Sequence, residues 1–343
     1  MWPRFKTQNA LLNIPFWGAF HLSTNAVIFL GEPEMYSPKY VLIKTFTQEL
    51  QTTYQSVFGD RQPHLIEFLR STAQIALETL ANSDALYHNL EHTILVTSVG
   101  QEILQAKRIV NGAAAVSPEN WLHFIIGLLC HDIGYLKGIC AQDNVTAGQY
   151  TTGVDYHQVT LGPEATDAAL TPYHVDRGKR FVAEQFAYTP LITVEWVQQI
   201  IELTRFPVPP DAMHQETSSY PGLARAADLI GQLGDRHYLQ KLPGLFHEFA
   251  ETGTSQTLGY RHPGDVRAGF PSFYWNVVHP YIKDAIAYLN RTQSGKQIVA
   301  QLQANVFTVE HEAPSPTLNK PLMPITSNKR EEAHFIYQSC DMN

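Results

Sequence analysis

The segment SPENWLHFIIGLLCHDIG, residues 117–134, decides the fold because it combines a helix signature with a chemical motif. The opening Ser117-Pro118 is typical of a helix start, since serine caps free amide groups and proline fits the first turn. From Trp121 to Cys130 an apolar run contains no Asp, Glu, Lys or Arg, and Gly134 can end the helix. The segment therefore predicts an apolar helix that carries His131 and Asp132 close to its carboxyl end.

Outward from this segment, apolar residues recur with a period near 3.6 between residues 38 and 308, which is typical of helices. Further helices are predicted at about 40–58, 63–80, 88–110, 162–170, 174–187, 193–204, 221–252, 267–290 and 294–305. No segment shows several alternating strands joined by hairpin turns. We therefore predict an all-α fold, a single irregular helical bundle over residues 35–310. Residues 1–34 form an N-terminal extension, and 311–343 are predicted to be a flexible tail.

The composition indicates a protein with a sizeable core and no affinity for nucleic-acid polymers. Hydrophobic residues make up 44% of the 343 residues, and the formal net charge is −8. A nucleic-acid binder would usually carry a basic stripe, and none is visible. The three cysteines (Cys130, Cys140 and Cys340) form no CxxC pair, which favours a reduced, cytoplasmic protein.

The N-terminal extension contains a mostly apolar stretch from Ala10 to Leu30. Asn13, Pro15 and other polar residues interrupt this stretch, whereas a membrane span needs about 20 predominantly apolar residues. We therefore expect no membrane association. The stretch is interpreted as a packing extension, or as sequence upstream of a true start at Met35. Nothing in the sequence indicates the oligomeric state.

Histidines and aspartates recur in three distant stretches. His88 and His92 are four residues apart, so a helix would place them on one face. His131 and Asp132 are adjacent, so they can reach a common ion only near a helix end, and Asp228 lies in a late apolar helix. This mixture of imidazole and carboxylate suits a divalent metal, and the lack of cysteine disfavours a closed structural zinc site. The ion expected is Mn, Mg, Zn, Fe, Co or Ni; one is predicted, and a second stays open.

The ordered set His…His-Asp…Asp resembles the signature of the HD-domain metal-dependent phosphohydrolase superfamily. The YHNxxH sequence at 87–92 is similar to the first motif of its class I cyclic nucleotide phosphodiesterase branch. The resemblance implies that the metal ligands are His92, His131, Asp132 and Asp228. It further implies that His88 protonates the leaving oxygen of a small phosphate ester or nucleotide. The chain departs at Tyr135, where those phosphodiesterases have histidine and the GYP subgroup has lysine.

Four further residues are candidates for the same site. His157 and His174 fall between the His-Asp pair and Asp228, where two-metal branches of the superfamily place additional ligands. They are predicted to hold a second metal or to contact the substrate. Lys137 and Arg177 are candidates for binding a phosphate, which arginine grips with two parallel hydrogen bonds.

The leading hypothesis is a phosphohydrolase that uses metal-activated water and acts on a small phosphorylated substrate. Two alternatives stay open: an HD-fold di-iron oxygenase, and a non-catalytic HD module that binds a nucleotide. The three differ in bound metal, oxygen uptake and phosphate release.

Overall fold

A computed structural model describes residues 37–60 and 62–312. The predicted extension and almost all of the predicted tail lie outside the described residues. Within them the chain is mostly helical, which confirms the all-α prediction. The helices are α1 Pro38–Phe58, α2 Pro63–Leu80, α3 Leu90–Asn111, α4 Pro118–Cys130, α5 His174–Phe186, α6 Val194–Leu203, α7 Tyr220–Leu233, α8 Tyr238–Glu251, α9 Thr254–Leu258, α10 Pro263–Phe273, α11 His279–Leu289 and α12 Gln293–Glu310.

Several boundaries differ from the predicted ones. The helix predicted over 221–252 is two helices, α7 and α8, because the chain turns between Gly234 and His237. The one predicted over 267–290 is likewise divided, with the π-helical turn Tyr274–Val278 between α10 and α11. The segment predicted as a helix over 162–170 forms a 3-10 helix at Asp167–Tyr173.

A small antiparallel hairpin, absent from the prediction, joins strand β1 (Gln149–Thr151) to strand β2 (Gln158–Thr160). It belongs to the long connection between α4 and α5. Each strand has only three residues, which is too short for an alternating pattern to stand out in the sequence.

Helix α4 forms the centre of the core, and all ten residues of 121–130 are buried. It packs against α2, α3, α6 and α7. Ser117 caps its first turn by accepting a hydrogen bond from the Asn120 amide, as the sequence predicts. The burial of every face explains why this helix is a nearly continuous apolar run rather than an amphipathic one.

Helices α3 and α7 lie unusually close together. A Cβ atom on Gly231 of α7 would come within 2.8 Å of the Val96 Cα atom on α3. His92 lies one turn before Val96, and Asp228 lies one turn before Gly231. The close approach of the two backbones therefore brings these two polar side chains together. None of the described helices is long and apolar enough to cross a bilayer.

Candidate functional site

Four polar side chains from three helical segments converge in the core. The Nε2 atom of His92 lies 3.2 Å from Asp132 Oδ2 and 3.2 Å from Asp228 Oδ1. The Nε2 atom of His131 lies 3.3 Å and 3.6 Å from the same two oxygens. The two imidazole Nε2 atoms are 3.3 Å apart. The structure thus brings together all four residues that the sequence predicts as metal ligands, here called the His/Asp cluster.

These separations suit a common cation. Around an ion with metal–ligand bonds of about 2.0–2.2 Å, neighbouring ligand atoms stand about 3.0–3.5 Å apart. One ligand atom from each of His92, His131 and Asp132 lies within 4.8 Å of the other two. The Asp132 Oδ2 atom is buried without a hydrogen bond, which is costly for a carboxylate oxygen. A divalent cation would satisfy this oxygen, so the donor set fits a metal.

The end of α4 determines the geometry of the His-Asp pair. The helix ends at Cys130, and Asp132 has φ −102° and ψ 2° before a 3-10 turn at Ile133–Tyr135. This change of direction allows two adjacent side chains to face one point. The His131 Nδ1 atom donates to the Leu128 carbonyl at 2.7 Å, so Nε2 keeps its lone pair for the site.

The start of α5 packs directly on this turn. A Cβ atom on Gly134 would lie 1.8 Å from the His174 carbonyl oxygen and 2.7 Å from the Gly178 nitrogen. Only glycine allows this approach, which brings His174 Nε2 to 4.0 Å from Asp132 Oδ1. The His174 Nδ1 atom donates to the Thr171 carbonyl at 2.6 Å. His174 therefore lines the site, as predicted, and its burial lowers the pKa of the imidazole.

His88 lies outside α3, in contrast to the prediction. The helix begins at Leu90, and Asn89 caps it by accepting hydrogen bonds from the Glu91 and His92 amides. His88 is therefore the last residue before the cap. Its ring centroid is 5.5 Å from that of His92, so it borders the cluster from the loop.

A carboxylate from α8 orients His88. Glu248 Oε2 lies 2.5 Å from His88 Nδ1, and Oε1 accepts hydrogen bonds from the Tyr87 and His88 amides at 2.6 and 3.2 Å. Burial by itself would lower the pKa of His88, but the Glu248 charge and hydrogen bond outweigh it and raise the pKa to about 9. His88 therefore holds a proton at neutral pH. Glu248 is 160 residues away in sequence, and no motif marks it.

The cluster itself attracts positive charge. Burial opposes the ionisation of Asp228, yet the neighbouring His131 and His92 lower its pKa to about 2. Burial also opposes protonation of His131, but Asp132 and Asp228 raise the pKa of its imidazole well above the ordinary value. Two carboxylates beside buried imidazoles stabilise a cation at this point, whether it is a proton or a metal ion.

Solvent reaches the site from one side. The side chains of His88, Asp228 and His174 are 17%, 18% and 13% exposed, whereas those of His92, His131 and Asp132 are at most 5% exposed. Among these six side chains, solvent therefore reaches those of His88, Asp228 and His174 most easily.

Arg177 has a different role from the predicted one. Its side chain is fully buried, and its Nε atom donates to the Gly134 carbonyl. Its two terminal nitrogens donate to both carboxylate oxygens of Asp143 and to the Leu136 and Thr151 carbonyls. All five N–H donors are occupied, so the prediction of phosphate binding by Arg177 is wrong. The residue instead ties the hairpin to the turn that follows the His-Asp pair.

The two other candidates also lie outside the cluster. The Lys137 ammonium donates to the Ala165 carbonyl at 2.7 Å and lies 3.5 Å and 3.8 Å from Asp84 and Asp167. In the described part of the chain, the contacts of this ammonium are with these acceptors and not with the cluster. His157 is exposed just before β2, and no contact joins its ring to the cluster in the described part of the chain.

This geometry defines the class of protein. It is an all-α bundle with a buried His/Asp cluster, which is open on one side and bordered by a protonated histidine. The chain belongs to the Npun_R2479-like family, whose sequence model matches residues 36–312. The matched range includes the whole cluster, His88 and Glu248. No curated protein and no solved structure matches the chain.

Proposed function

We propose that this protein is a metal-dependent phosphohydrolase of the HD-domain type that acts on a small phosphate ester or nucleotide. The observation that carries the proposal is the convergence of four ligand atoms, all from imidazole or carboxylate groups, beside a histidine that a buried glutamate orients. The resemblance of the three motifs to the HD signature supports the same proposal. A cytoplasmic location stays a prediction.

In this proposal His92, His131, Asp132 and Asp228 hold the divalent cation. A cation bound by these four residues would supply Lewis acidity, which makes hydroxide available at neutral pH and neutralises charge on phosphoryl oxygens. The protein's contribution is to hold the four ligands in place. The Leu128 carbonyl orients His131, and the turn after α4 aims both His131 and Asp132 at one point.

His88 acts as the general acid. Glu248 occupies its Nδ1 atom, so Nε2 is the nitrogen that can deliver a proton to the leaving oxygen. The Glu248 charge favours this proton and raises the pKa of His88 to about 9 in the absence of a bound cation. General acid assistance is typically worth about 10²–10⁴-fold in rate, and it matters most for alkoxide leaving groups.

Recognition of the phosphate rests on the cation and the open side of the site. Arg177 and Lys137 are engaged by protein acceptors and do not serve as phosphate ligands. Asp228, His88 and His174 surround the entrance, so His88 supplies the positive charge there. This arrangement favours a small substrate with one phosphoryl group at the cluster.

The alternatives make different demands on the same residues. A second metal, as in the oxygenase hypothesis, would bind between Asp132 Oδ1 and His174 Nε2, which are 4.0 Å apart. His157, the other residue expected to assist, is exposed on the hairpin. A non-catalytic module would have no need for an oriented, protonated His88. The second ion stays a prediction, and the hydrolase is the better supported function.

The experiment begins with protein stripped of metal and reloaded separately with Mn, Mg, Zn, Fe, Co and Ni. Phosphate or nitrophenol release is then measured with 4-nitrophenyl phosphate, bis(4-nitrophenyl) phosphate, nucleotides and cyclic dinucleotides. We expect Asp132→Asn to lose both the metal and turnover. Asp211→Asn, a change of the same kind outside the cluster, should retain both. Two irons per chain with oxygen uptake and no phosphate release would refute the hydrolase in favour of the oxygenase.

A further inference from the structure

Tyr135 stacks with two imidazole rings at the edge of the cluster. Its ring centroid is 4.7 Å from that of His88, with 9° between the planes. The His174 ring also stacks on Tyr135, with a centroid distance of 4.5 Å and an angle of 27° between the planes. The tyrosine is 2% exposed. Three aromatic rings from three separate segments thus form one stack.

The hydrogen bond to Glu248 does not by itself determine the orientation of His88. It holds Nδ1, but the imidazole can still swing about the line that joins Nδ1 to the carboxylate. The opposite nitrogen, Nε2, would then move away from the open side of the cluster. The parallel face of Tyr135 restricts this swing, because a tilted ring would lose the face-to-face contact.

Tyr135 is itself backed by a rigid segment. His174 is held through Nδ1 to the Thr171 carbonyl, and the start of α5 lies against Gly134 without a gap. The stacked His174 ring therefore limits the movement of the tyrosine ring. Through these direct ring contacts, the position of α5 constrains the position of the His88 ring.

We infer that Tyr135 is a positioning residue that holds the plane of the His88 imidazole so that Nε2 faces the reacting phosphate ester. This inference rests on the proposed function. Tyr135 acts on the reaction only through His88, by contact between the faces of the two rings. A general acid must come within about 2.6–3.2 Å of the atom that it protonates. A displacement of about 1 Å can cost about 10²-fold in rate, so the plane of the ring has a measurable effect.

The test compares leaving groups. 4-Nitrophenolate is a stable anion and leaves without a proton from an acid, whereas an alkoxide needs that proton. Two matched pairs are used: 4-nitrophenyl phosphate with glycerol 2-phosphate, and bis(4-nitrophenyl) phosphate with a cyclic nucleotide. For Tyr135→Leu we expect kcat to fall about 10- to 100-fold on the alkyl ester and to change less than about threefold on the nitrophenyl ester. Tyr135→Phe keeps the ring and should restore both rates. Tyr150→Leu, which removes a buried tyrosine from β1, is the control and should leave both unchanged.

Three results would overturn the inference: an unchanged alkyl rate in Tyr135→Leu, equal losses on both leaving groups, or a Tyr135→Phe protein as impaired as Tyr135→Leu. If wild-type protein hydrolyses none of the four esters, the proposed function fails and this role fails with it. Should Tyr135→Leu not fold by circular dichroism, Tyr135→Met is measured instead.

A second readout needs no turnover. The ring of Tyr135 should shift the His88 Hε1 proton resonance upfield, and His88→Asn assigns that resonance by its loss. We expect the shift to vanish in Tyr135→Leu and to persist in Tyr135→Phe. An Hε1 resonance at the same position in Tyr135→Leu and wild type would show that the rings do not stack.

Discussion

Replacing Glu248 by glutamine tests the charge that holds the proton on His88. Glutamine has the shape of glutamate, and its carbonyl oxygen can still accept from the Tyr87 and His88 amides. Only the negative charge beside His88 Nδ1 is removed, while the burial that opposes protonation stays. We therefore expect the pKa of His88 to fall from about 9 towards its ordinary value in Glu248→Gln, although Asp132 and Asp228 still favour the protonated form.

The consequence for stability follows from the sign of this difference. The pKa of His88 is about 9 in the folded protein and 6.5 ordinarily. Because the folded value is the higher one, the stabilisation is fully present below pH 6.5 and is lost as pH rises towards 9. A difference of about 2.5 between the two pKa values corresponds to about 3 kcal/mol.

The assay is urea unfolding of metal-free protein between pH 5.5 and 9.5. Metal-free protein is required because a nearby cation would itself repel the His88 proton. As pH rises from 6.5 to 9, the unfolding free energy of wild type should fall by about 3 kcal/mol more than that of Glu248→Gln. Taking the difference between the two proteins removes the contributions of the other histidines. Glu251→Gln is the control, since Glu251 lies one turn further along α8, accepts hydrogen bonds from Thr166 and contacts no histidine among the described residues.

Two results would refute the reasoning. One is the same dependence of the unfolding free energy on pH in wild type and Glu248→Gln between pH 6.5 and 9. The other is a wild-type His88 that titrates below pH 7 in a histidine ring NMR experiment. Either would mean that Glu248 orients His88 without keeping it charged.

Three further predictions concern other contacts. His88→Asn should keep the bound metal, measured by elemental analysis, but lose about 10²–10⁴-fold in kcat on an alkyl phosphate ester; an unchanged rate would exclude the acid role. Gly134→Ala should lower the melting temperature strongly, since backbone atoms fill the position of the new Cβ atom. Gly162→Ala, with open space around it, is its control. Arg177→Met should cost about 3–5 kcal/mol in urea unfolding because it leaves the buried Asp143 charge unpaired; a neutral result would contradict the structural role.

Local sequence patterns were sufficient for most of the helices. The start of α4 was predictable because Ser117 and Pro118 act on their own helix turn. The start of α3 was predicted two residues early, although Asn89 is a good cap, because His88 and His92 suggested a continuous helical face. The division of 221–252 was missed for a related reason: Gly234 ends α7 in a segment whose apolar period continues.

The candidate site, like the helices, was predicted only in part from the sequence. Residue type, spacing and the resemblance to the HD signature together singled out His92, His131, Asp132 and Asp228 as candidate metal ligands. Sequence alone could not pair His88 with Glu248, since nothing local distinguishes one helical glutamate from another. Nor could the sequence show that Arg177 is not a phosphate ligand, because the role of an arginine depends on its acceptors, and those of Arg177 come from three different segments.

The amino-acid sequence by itself determined the helical architecture and pointed to the candidate ligand residues, because helix periodicity, capping and residue chemistry act over one or two turns. Only the tertiary structure decided three points. These are which carboxylate pairs with His88, that the Arg177 side chain is buried, and which side of the cluster is open. These depend on the close approach of α3 to α7, of α5 to the turn after α4, and of α8 to the loop before α3. Such contacts join residues far apart in the chain, and their energies depend on burial that exists only once the core has formed.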